Sequence, residues 1–395
     1  DISSVSLTPG DFLKYKIVSS DSDGLSGGDD DGFIYIPQNS TLPKVMQLNH
    51  FFFGVNNAQS LSFSGQEVVT SIVEDGQGHL FVAGHTYGSI SEPQGGAGDA
   101  FVAKIDTSSQ SLVTEFGHLG VVQLGLMTMI DSSGEELLYD MVLDGNGSLY
   151  IAGSTESSLG GANAGARDIF VAKLDATSGV LDSGFGSGDG GGVYDNDGIV
   201  QLNANNTNSA TDSEGVSSIV LDGSGYLFIA GFTSSDFGGT NAGSSDGFIA
   251  KLNATSGALD SSFGDGDGIN DDGIVQLNAS NTNSASTIES IESILVDGSG
   301  NLFAVGNTTS SLGGTNAGSI DIFVVKLSAM SGTLDSSFGD GDGINDDGIM
   351  QLNASNTNSA SGTDYGRSIV VDGSGNIFIA GSTTSNLGGT NAGST

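Results

Sequence analysis

Short apolar runs of four to six residues, separated by clusters of Gly, Asn, Ser and Asp, recur along most of the chain. In one recurrence they fall at Ser218–Leu221, Leu227–Ala230, Phe248–Leu252 and Ile274–Leu277. β-branched and aromatic types dominate them, and Gly breaks every longer window, so strands are predicted and helix is nearly excluded. Leu227–Ala230 and Phe248–Leu252 are apolar on both faces rather than alternating, which requires cover on both sides. Asp222-Gly-Ser-Gly225 joins the first two runs, and its glycines suit a tight hairpin that needs positive φ.

Three markers repeat in step. A D-G-x-G turn begins at Asp75, Asp144, Asp222, Asp297 and Asp372, at spacings of 69, 78, 75 and 75 residues. A D-x-F-(V/I)-x-K strand begins at Asp99, Asp168, Asp246 and Asp321, and a Gln-Leu pair recurs at Gln47, Gln123, Gln201, Gln276 and Gln351. A unit of about 75 residues with four short strands, each sheet covered on both faces, predicts an all-β fold: a β-propeller of five to seven blades. An open β-repeat array or a solenoid is the alternative. Phe81, Tyr150, Phe228, Phe303 and Phe378 fall at one repeat position and Phe101, Phe170, Phe248 and Phe323 at another, and these two sets are expected to dominate the core.

The ends are half-units. Asp31-Gly-Phe-Ile-Tyr and Val45-Met-Gln-Leu-Asn49 match Asp246-Gly-Phe-Ile-Ala and Ile274-Val-Gln-Leu-Asn278, whereas the chain stops at Thr395, where the next D-x-F strand is due. Residues 1–30 are expected to form an N-terminal arm or degenerate half-repeat, and 31–395 the repeat array. The N-terminal pair could complete the blade begun near Arg367–Ser382; alternatively, open edges could join molecules head to tail into a filament, or the chain is cut from a longer one. A start at Asp1 suggests a removed secretion signal, and the expected location is secreted or at the cell surface.

Composition narrows the chemistry. With 47 acidic and 9 basic residues the net charge is −38, which repels phosphate backbones and excludes nucleic acid as a partner. No apolar run approaches the roughly 20 residues of a bilayer span, so no membrane insertion is expected. Cysteine is absent, and His50, His79, His85 and His118 all lie in the first third; without matching acids or ligand spacing they read as surface residues.

Several segments resemble known families. Val296-Asp-Gly-Ser-Gly-Asn-Leu-Phe303, Gly306-Asn-Thr-Thr, Gly313-Gly-Thr-Asn and Asp321-Ile-Phe-Val-Val-Lys326 are similar to the bacterial β-propeller repeat SBBP. Leu334-Asp-Ser-Ser-Phe-Gly339, leading to Gly348-Ile-Met-Gln-Leu352, resembles a second bacterial propeller repeat with an L-D-x-S/T-F-G signature. The resemblance implies a propeller in a secreted or surface protein and adds little about activity. The Asp-rich insertion after Phe-Gly departs from both patterns.

That insertion holds the candidate metal ligands: Asp265, Asp267, Asp271 and Asp272, copied at Asp340, Asp342, Asp346 and Asp347, with a looser set at Asp189, Asp195 and Asp197. Crowded carboxylates repel one another and a hard cation such as Ca²⁺ would relieve this, although no frame fits an EF-hand; solvated Asp-Gly turns are the plainer reading. Lys104, Lys173, Lys251 and Lys326 share one repeat position and are expected to pair with carboxylates between blades. Glu135, Glu136, Glu289 and Glu292 break the repeat and are the sites left for singular chemistry. Near-identical units suit a scaffold. The expected function is therefore a non-catalytic extracellular structural or adhesive module, not an enzyme, that associates with itself or other surface proteins. A glycan-binding, lectin-like propeller is the alternative, and a glycan-active hydrolase or lyase comes third.

Overall fold

A computed structural model describes residues 14–16, 33–35, 45–47, 67–88, 90, 97–124, 134–186, 197–202, 213–264, 272–277, 287–314, 316, 318–339, 348–352 and 362–384. Every regular element among them is a strand. In chain order these are β1 (Lys14–Lys16), β2 (Phe33–Tyr35), β3 (Val45–Gln47), β4 (Glu67–Glu74), β5 (His79–Thr86), β6 (Asp99–Asp106), β7 (Ser111–Leu112), β8 (Val121–Leu124) and β9 (Glu136–Leu143). They continue with β10 (Ser148–Thr155), β11 (Asp168–Asp175), β12 (Ile199–Leu202), β13 (Glu214–Leu221), β14 (Tyr226–Thr233), β15 (Asp246–Asn253) and β16 (Ile274–Leu277). The last six are β17 (Glu289–Val296), β18 (Asn301–Thr308), β19 (Asp321–Ser328), β20 (Ile349–Leu352), β21 (Asp364–Val371) and β22 (Ile377–Thr383). The all-β propeller-repeat class expected from the pattern is therefore observed. The first three strands of a repeat are longer than their apolar runs, because polar residues at their ends continue the ladder: the run at Ser218 belongs to a strand that starts at Glu214.

Two compact units are distinguished: Asp1–Tyr150 with Lys173–Leu181, and Ile151–Ala172 with Asp182–Thr395. In the first unit β1, β4, β5, β6 and β7 lie in that order in one sheet and β8 also pairs with β6; β9 packs against β4, β5 and β6. In the second unit β13–β14–β15–β16 and β17–β18–β19–β20 are antiparallel sheets in chain order, followed by the two-stranded β21–β22. β17 packs on β13, β14 and β15, and β21 on β17, β18 and β19, so consecutive sheets stack face to face. In the same unit β11 pairs antiparallel with β12, Phe170 lying opposite Gln201.

The core follows the two expected aromatic positions, with one addition and one exception. Phe81, Phe101, Phe170, Phe228, Phe248 and Phe323 are fully buried, and so are Phe116, Phe185 and Phe263 of the loop after the third strand. Phe263 meets Phe228 edge to face with ring centroids 5.6 Å apart, and Phe338 meets Phe303 the same way at 6.1 Å. Phe378 is 56% exposed.

Four first strands, β4, β13, β17 and β21, carry a β-bulge at one position, between Val69 and Ser71, Val216 and Ser218, Ile291 and Ser293, and Gly366 and Ser368. A glycine opposes it because the backbone comes too close for a side chain: a Cβ on Gly231 would sit 1.8 Å from the Gly215 carbonyl oxygen.

Candidate functional site

The markers that define the repeat turn out to bond one another. Gln276 Nε2 donates to Asp246 Oδ2 and to the Ser235 carbonyl, both at 3.0 Å, while its Oε1 accepts the Phe237 N–H at 2.8 Å. Asp246 Oδ2 also accepts the Ala242 N–H at 2.9 Å. Burial raises the Asp246 pKa, against the lowering effect of those donors. Gln351 with Asp321, Gln201 with Asp168 and Gln123 with Asp99 repeat the bond at 3.0, 2.8 and 2.6 Å. The recurring Gln and Asp are a clasp between the fourth strand, the third strand and the preceding loop.

A second clasp corrects the expectation that Glu136 and Glu289 are singular. Glu289 Oε1 accepts hydrogen bonds from Thr308 Oγ1 at 2.8 Å and Ser310 Oγ at 2.6 Å. Glu214 Oε1 does the same with Thr233 and Ser235, Thr86 Oγ1 donates to Glu67, and Thr383 Oγ1 donates to Asp364. Glu136, Glu214, Glu289 and Asp364 are fully buried at the same strand start. An acid there is a rule of the repeat, and its Asp and Glu alternation hides it in the sequence.

The lysines also differ from expectation. Lys251 Nζ pairs with Asp260 Oδ2 at 2.9 Å and Lys326 with Asp335 at 2.6 Å, so the carboxylate lies on the loop of the same repeat. What reaches the next repeat is a backbone bond: Lys251 Nζ donates to the Met330 carbonyl, and Lys104 Nζ to that of Ala176. Lys251 lies 4.2 Å from the Tyr226 ring centroid, and the ammonium of Lys326 holds Asp335 down to about 2. These groups position loops.

Of the eight Asp proposed as calcium ligands, only Asp272 lies among the described residues; Asp265, Asp267, Asp271, Asp340, Asp342, Asp346 and Asp347 lie outside them, as do Asp189 and Asp195 of the looser set. Asp272 Oδ1 accepts the Ile274 N–H at 2.9 Å, as Asp197 does that of Ile199 at 2.8 Å. Among the described residues no three His, Asp or Glu side chains gather as a metal site. The Asp of each D-G-x-G turn accepts backbone N–H bonds, Asp222 Oδ1 from Ser224 and Tyr226, as expected of a turn residue.

Two places do break the repeat. In the second unit Glu292 and Arg367 occupy the bulge position of adjacent first strands and pair at 3.0 Å, with Asn307 and Ser290 donating to the same carboxylate. The Arg367 guanidinium lies 4.9 Å from the Tyr365 ring centroid. In the first unit, His85 at the end of β5 meets Tyr87 edge to face at 5.6 Å, and Glu135 supplies the nearby negative charge. His85 is buried rather than superficial, which corrects the surface expectation; its flanking β6 residue, Ala100, and its β4 partner, Val68, are both apolar.

An SBBP β-propeller repeat model matches residues 351–388, and a β-propeller model of unknown function, DUF5122, matches residues 219–263. The two matched segments are similar to β-propeller repeats, in agreement with the resemblance seen in the sequence. No curated protein matches the sequence. Among similar solved structures, a polysaccharide lyase of family PL25, an ulvan lyase, shares 13% identity at a TM-score of 0.37, over 77% of this chain and 62% of its own. The chain therefore spans less than two thirds of that protein. An endo-arabinase from Bacteroides thetaiotaomicron shares 11% at 0.33, over 81% and 90%, and a GH43_12 protein from a capybara gut metagenome shares 9% at 0.27, over 78% and 48%. The expectation that the chain is not an enzyme is corrected by these neighbours: similar folds belong to a lyase and an arabinase, so the architecture gives no ground for excluding catalysis.

Proposed function

We propose that this chain of propeller repeats is a module of a secreted or cell-surface assembly that associates with further copies of itself through an unpaired sheet edge. One observation carries the reading. The ladder of β21–β22 repeats that of β13–β14 residue for residue: Val370 faces Phe378 as Val220 faces Phe228, and the bulge falls at the same place. β2–β3 repeats the ladder of β15–β16, with Phe33 opposite Gln47 as Phe248 is opposite Gln276. One pair is the first half of a blade and the other is the second half.

Among the described residues no strand pairs with the second edge of β22, and Val370 and Phe378 stand more than half exposed. An edge beside apolar side chains is a template for strand addition, and the reading takes a β2–β3 pair from a second copy as the half-blade that would fit it. The resemblance to SBBP repeats supports the extracellular setting. No described helix is long and apolar enough to cross a membrane.

Light scattering over a concentration series, on the intact chain and on Phe378→Lys, tests the reading. Phe378 is exposed, so the change should leave the fold intact while charging the edge. Concentration-dependent oligomers of the intact chain that the variant does not form would support self-association. An intact chain that stays monomeric at every concentration would refute it.

A further inference from the structure

We propose that Asn146 is a self-modifying residue, which loses its side-chain amide to the backbone nitrogen of Gly147 and leaves an isoaspartyl or aspartyl residue in the β9–β10 turn. The repeat marks the place. At this position the other D-G-x-G turns carry Gln77, Ser224, Ser299 and Ser374, none of which has an amide carbonyl at Cγ. Asn146-Gly147 is also the only Asn-Gly pair in the chain.

The chemistry is a ring closure followed by a hydrolysis. The Gly147 backbone nitrogen gives up its proton to hydroxide and attacks Asn146 Cγ. The bond from Cγ to the side-chain nitrogen breaks, ammonia leaves with a proton returned by water, and a five-membered succinimide remains. Water then adds to one of the two ring carbonyls. Opening at Cγ restores the original backbone with an aspartate at 146, whereas opening at the Asn146 backbone carbonyl routes the main chain through Cβ and Cγ. One water is consumed and one ammonia released, with no oxidant or reductant. Glycine favours the attack because it has no Cβ to crowd the nitrogen.

The turn leaves the reacting atoms accessible. Gly145, Asn146 and Gly147 are exposed. Gly147 has φ +102°, and beyond its chain neighbours no atom lies within 4 Å of where a Cβ would stand. Among the described residues nothing accepts the Gly147 N–H, whereas in equivalent turns the N–H groups of Gly300 and Gly375 donate to the Asp297 and Asp372 carbonyls at 3.2 and 3.0 Å. The leaving nitrogen, Asn146 Nδ2, is held by a long bond of 3.4 Å to the Asp144 carbonyl.

An extra backbone carbon has a consequence in this turn. Asp144 Oδ1 accepts the N–H groups of both Asn146 and Ser148, at 2.7 and 2.8 Å. The Gly147 carbonyl accepts the Ala176 N–H at 2.8 Å, and the Ala176 carbonyl accepts Lys104 Nζ at 2.8 Å. Lengthening the chain between 146 and 147 takes these bonds out of register, so the isoaspartyl form loosens the hold of the turn on the loop at 176 and, through it, on Lys104.

The test is to age the intact folded chain at neutral and at alkaline pH and to map its peptides by mass spectrometry, with isoaspartate read by enzymatic methylation. Amide loss at Asn146 is expected to be at least about tenfold faster than at Asn163, Asn253 and Asn316, each followed by alanine, and to rise with pH as the attacking nitrogen is deprotonated. Hydrogen exchange at the Ala176 amide, a readout of local opening, should quicken in the aged parent and stay unchanged in aged Asn146→Ser. That variant carries the serine of the turns at Ser224, Ser299 and Ser374, so it should fold as the parent does. The same ageing in urea separates the turn from the bare dipeptide. Native Asn146 that persists while the unfolded chain loses its amide would overturn the proposal, because the turn would then protect it. So would native loss no faster than at the alanine-followed sites. An Ala176 amide that behaves alike in aged parent and aged Asn146→Ser would overturn the link to the joint.

Discussion

Two stretches of this chain make the same hairpin and give it different surroundings. β13–β14 and β21–β22 share their ladder, their bulge and their D-G-x-G turn, yet Phe228 is fully buried while Phe378 is more than half exposed. Phe228 belongs to a cluster with Phe263, Phe323 and Leu302, contributed by its own loop and by the next sheet. Around Phe378 the described residues include neither a third strand nor the Phe of an L-D-x-S-F-G loop. Hairpin geometry is thus settled within some twenty residues of sequence, through turn glycines and the bulge, whereas burial is conferred by the next repeat. This is the behaviour of a quasi-one-dimensional array, in which intrinsic and interface energies separate.

The largest effect follows from that separation. Phe228→Ala should cost about 3–5 kcal/mol, and Phe303→Ala a similar amount, because each leaves a cavity lined by side chains that cannot follow it. Phe378→Ala should cost less than about 1 kcal/mol in the isolated chain. Urea melts of the three variants measure the contrast. Comparable losses at Phe228 and Phe378 would mean that the terminal hairpin is covered in solution, and a loss at Phe378 that grows with protein concentration would place a second copy on it.

An intermediate effect separates two copies of one ion pair. Lys251 is nearly buried, lies against Tyr226 and donates to the Met330 carbonyl, whereas Lys326 and its partner Asp335 are more exposed. Lys251→Met leaves a half-shielded Asp260 and an unfilled carbonyl, at a cost of about 1–3 kcal/mol. Lys326→Met should cost under about 1 kcal/mol, and that cost should shrink further in high salt. Melts at low and high NaCl concentration check both, and a salt-sensitive Lys251 variant beside an insensitive Lys326 variant would reverse the assignment.

The repeat, its strands and its two aromatic positions were legible because they are local: period, turn chemistry and apolar runs are written in neighbouring residues. Partnerships at long range were not. Gln276 and Asp246 lie thirty residues apart, and each recurs for the sake of the other, but only the fold brings their amide and carboxylate to 3.0 Å. In the sequence Glu289 reads as an exception because Asp364 fills the same role with a shorter side chain, and sequence identity is a poor guide to an equivalent hydrogen bond. His85 was misread for a similar reason. A lone imidazole gives no periodic signal, and its burial comes from strands on either side.

The smallest expected effect concerns the loops that distinguish complete repeats from the terminal hairpin. The acidic segments at 265–272 and 340–347 each follow an L-D-S-S-F-G turn, and both sit in repeats that own all four strands. A chain at −38 repels itself, so NaCl alone should raise the thermal midpoint by screening. If each segment holds Ca²⁺ with the millimolar affinity common in extracellular modules, 10 mM CaCl₂ should add about 1.4 kcal/mol per site beyond NaCl of matched ionic strength. Asp346→Asn should then remove one such increment and leave the NaCl response unchanged, because a single charge in −38 contributes little to the overall repulsion. Midpoints that are equal in the two salts would assign these carboxylates to solvated turns, as Asp272, which caps the Ile274 N–H, already illustrates. An increment that survives Asp346→Asn would move the calcium to the third repeat, and the same substitution at Asp271 would then decide whether the ion binds to the acidic segments at all.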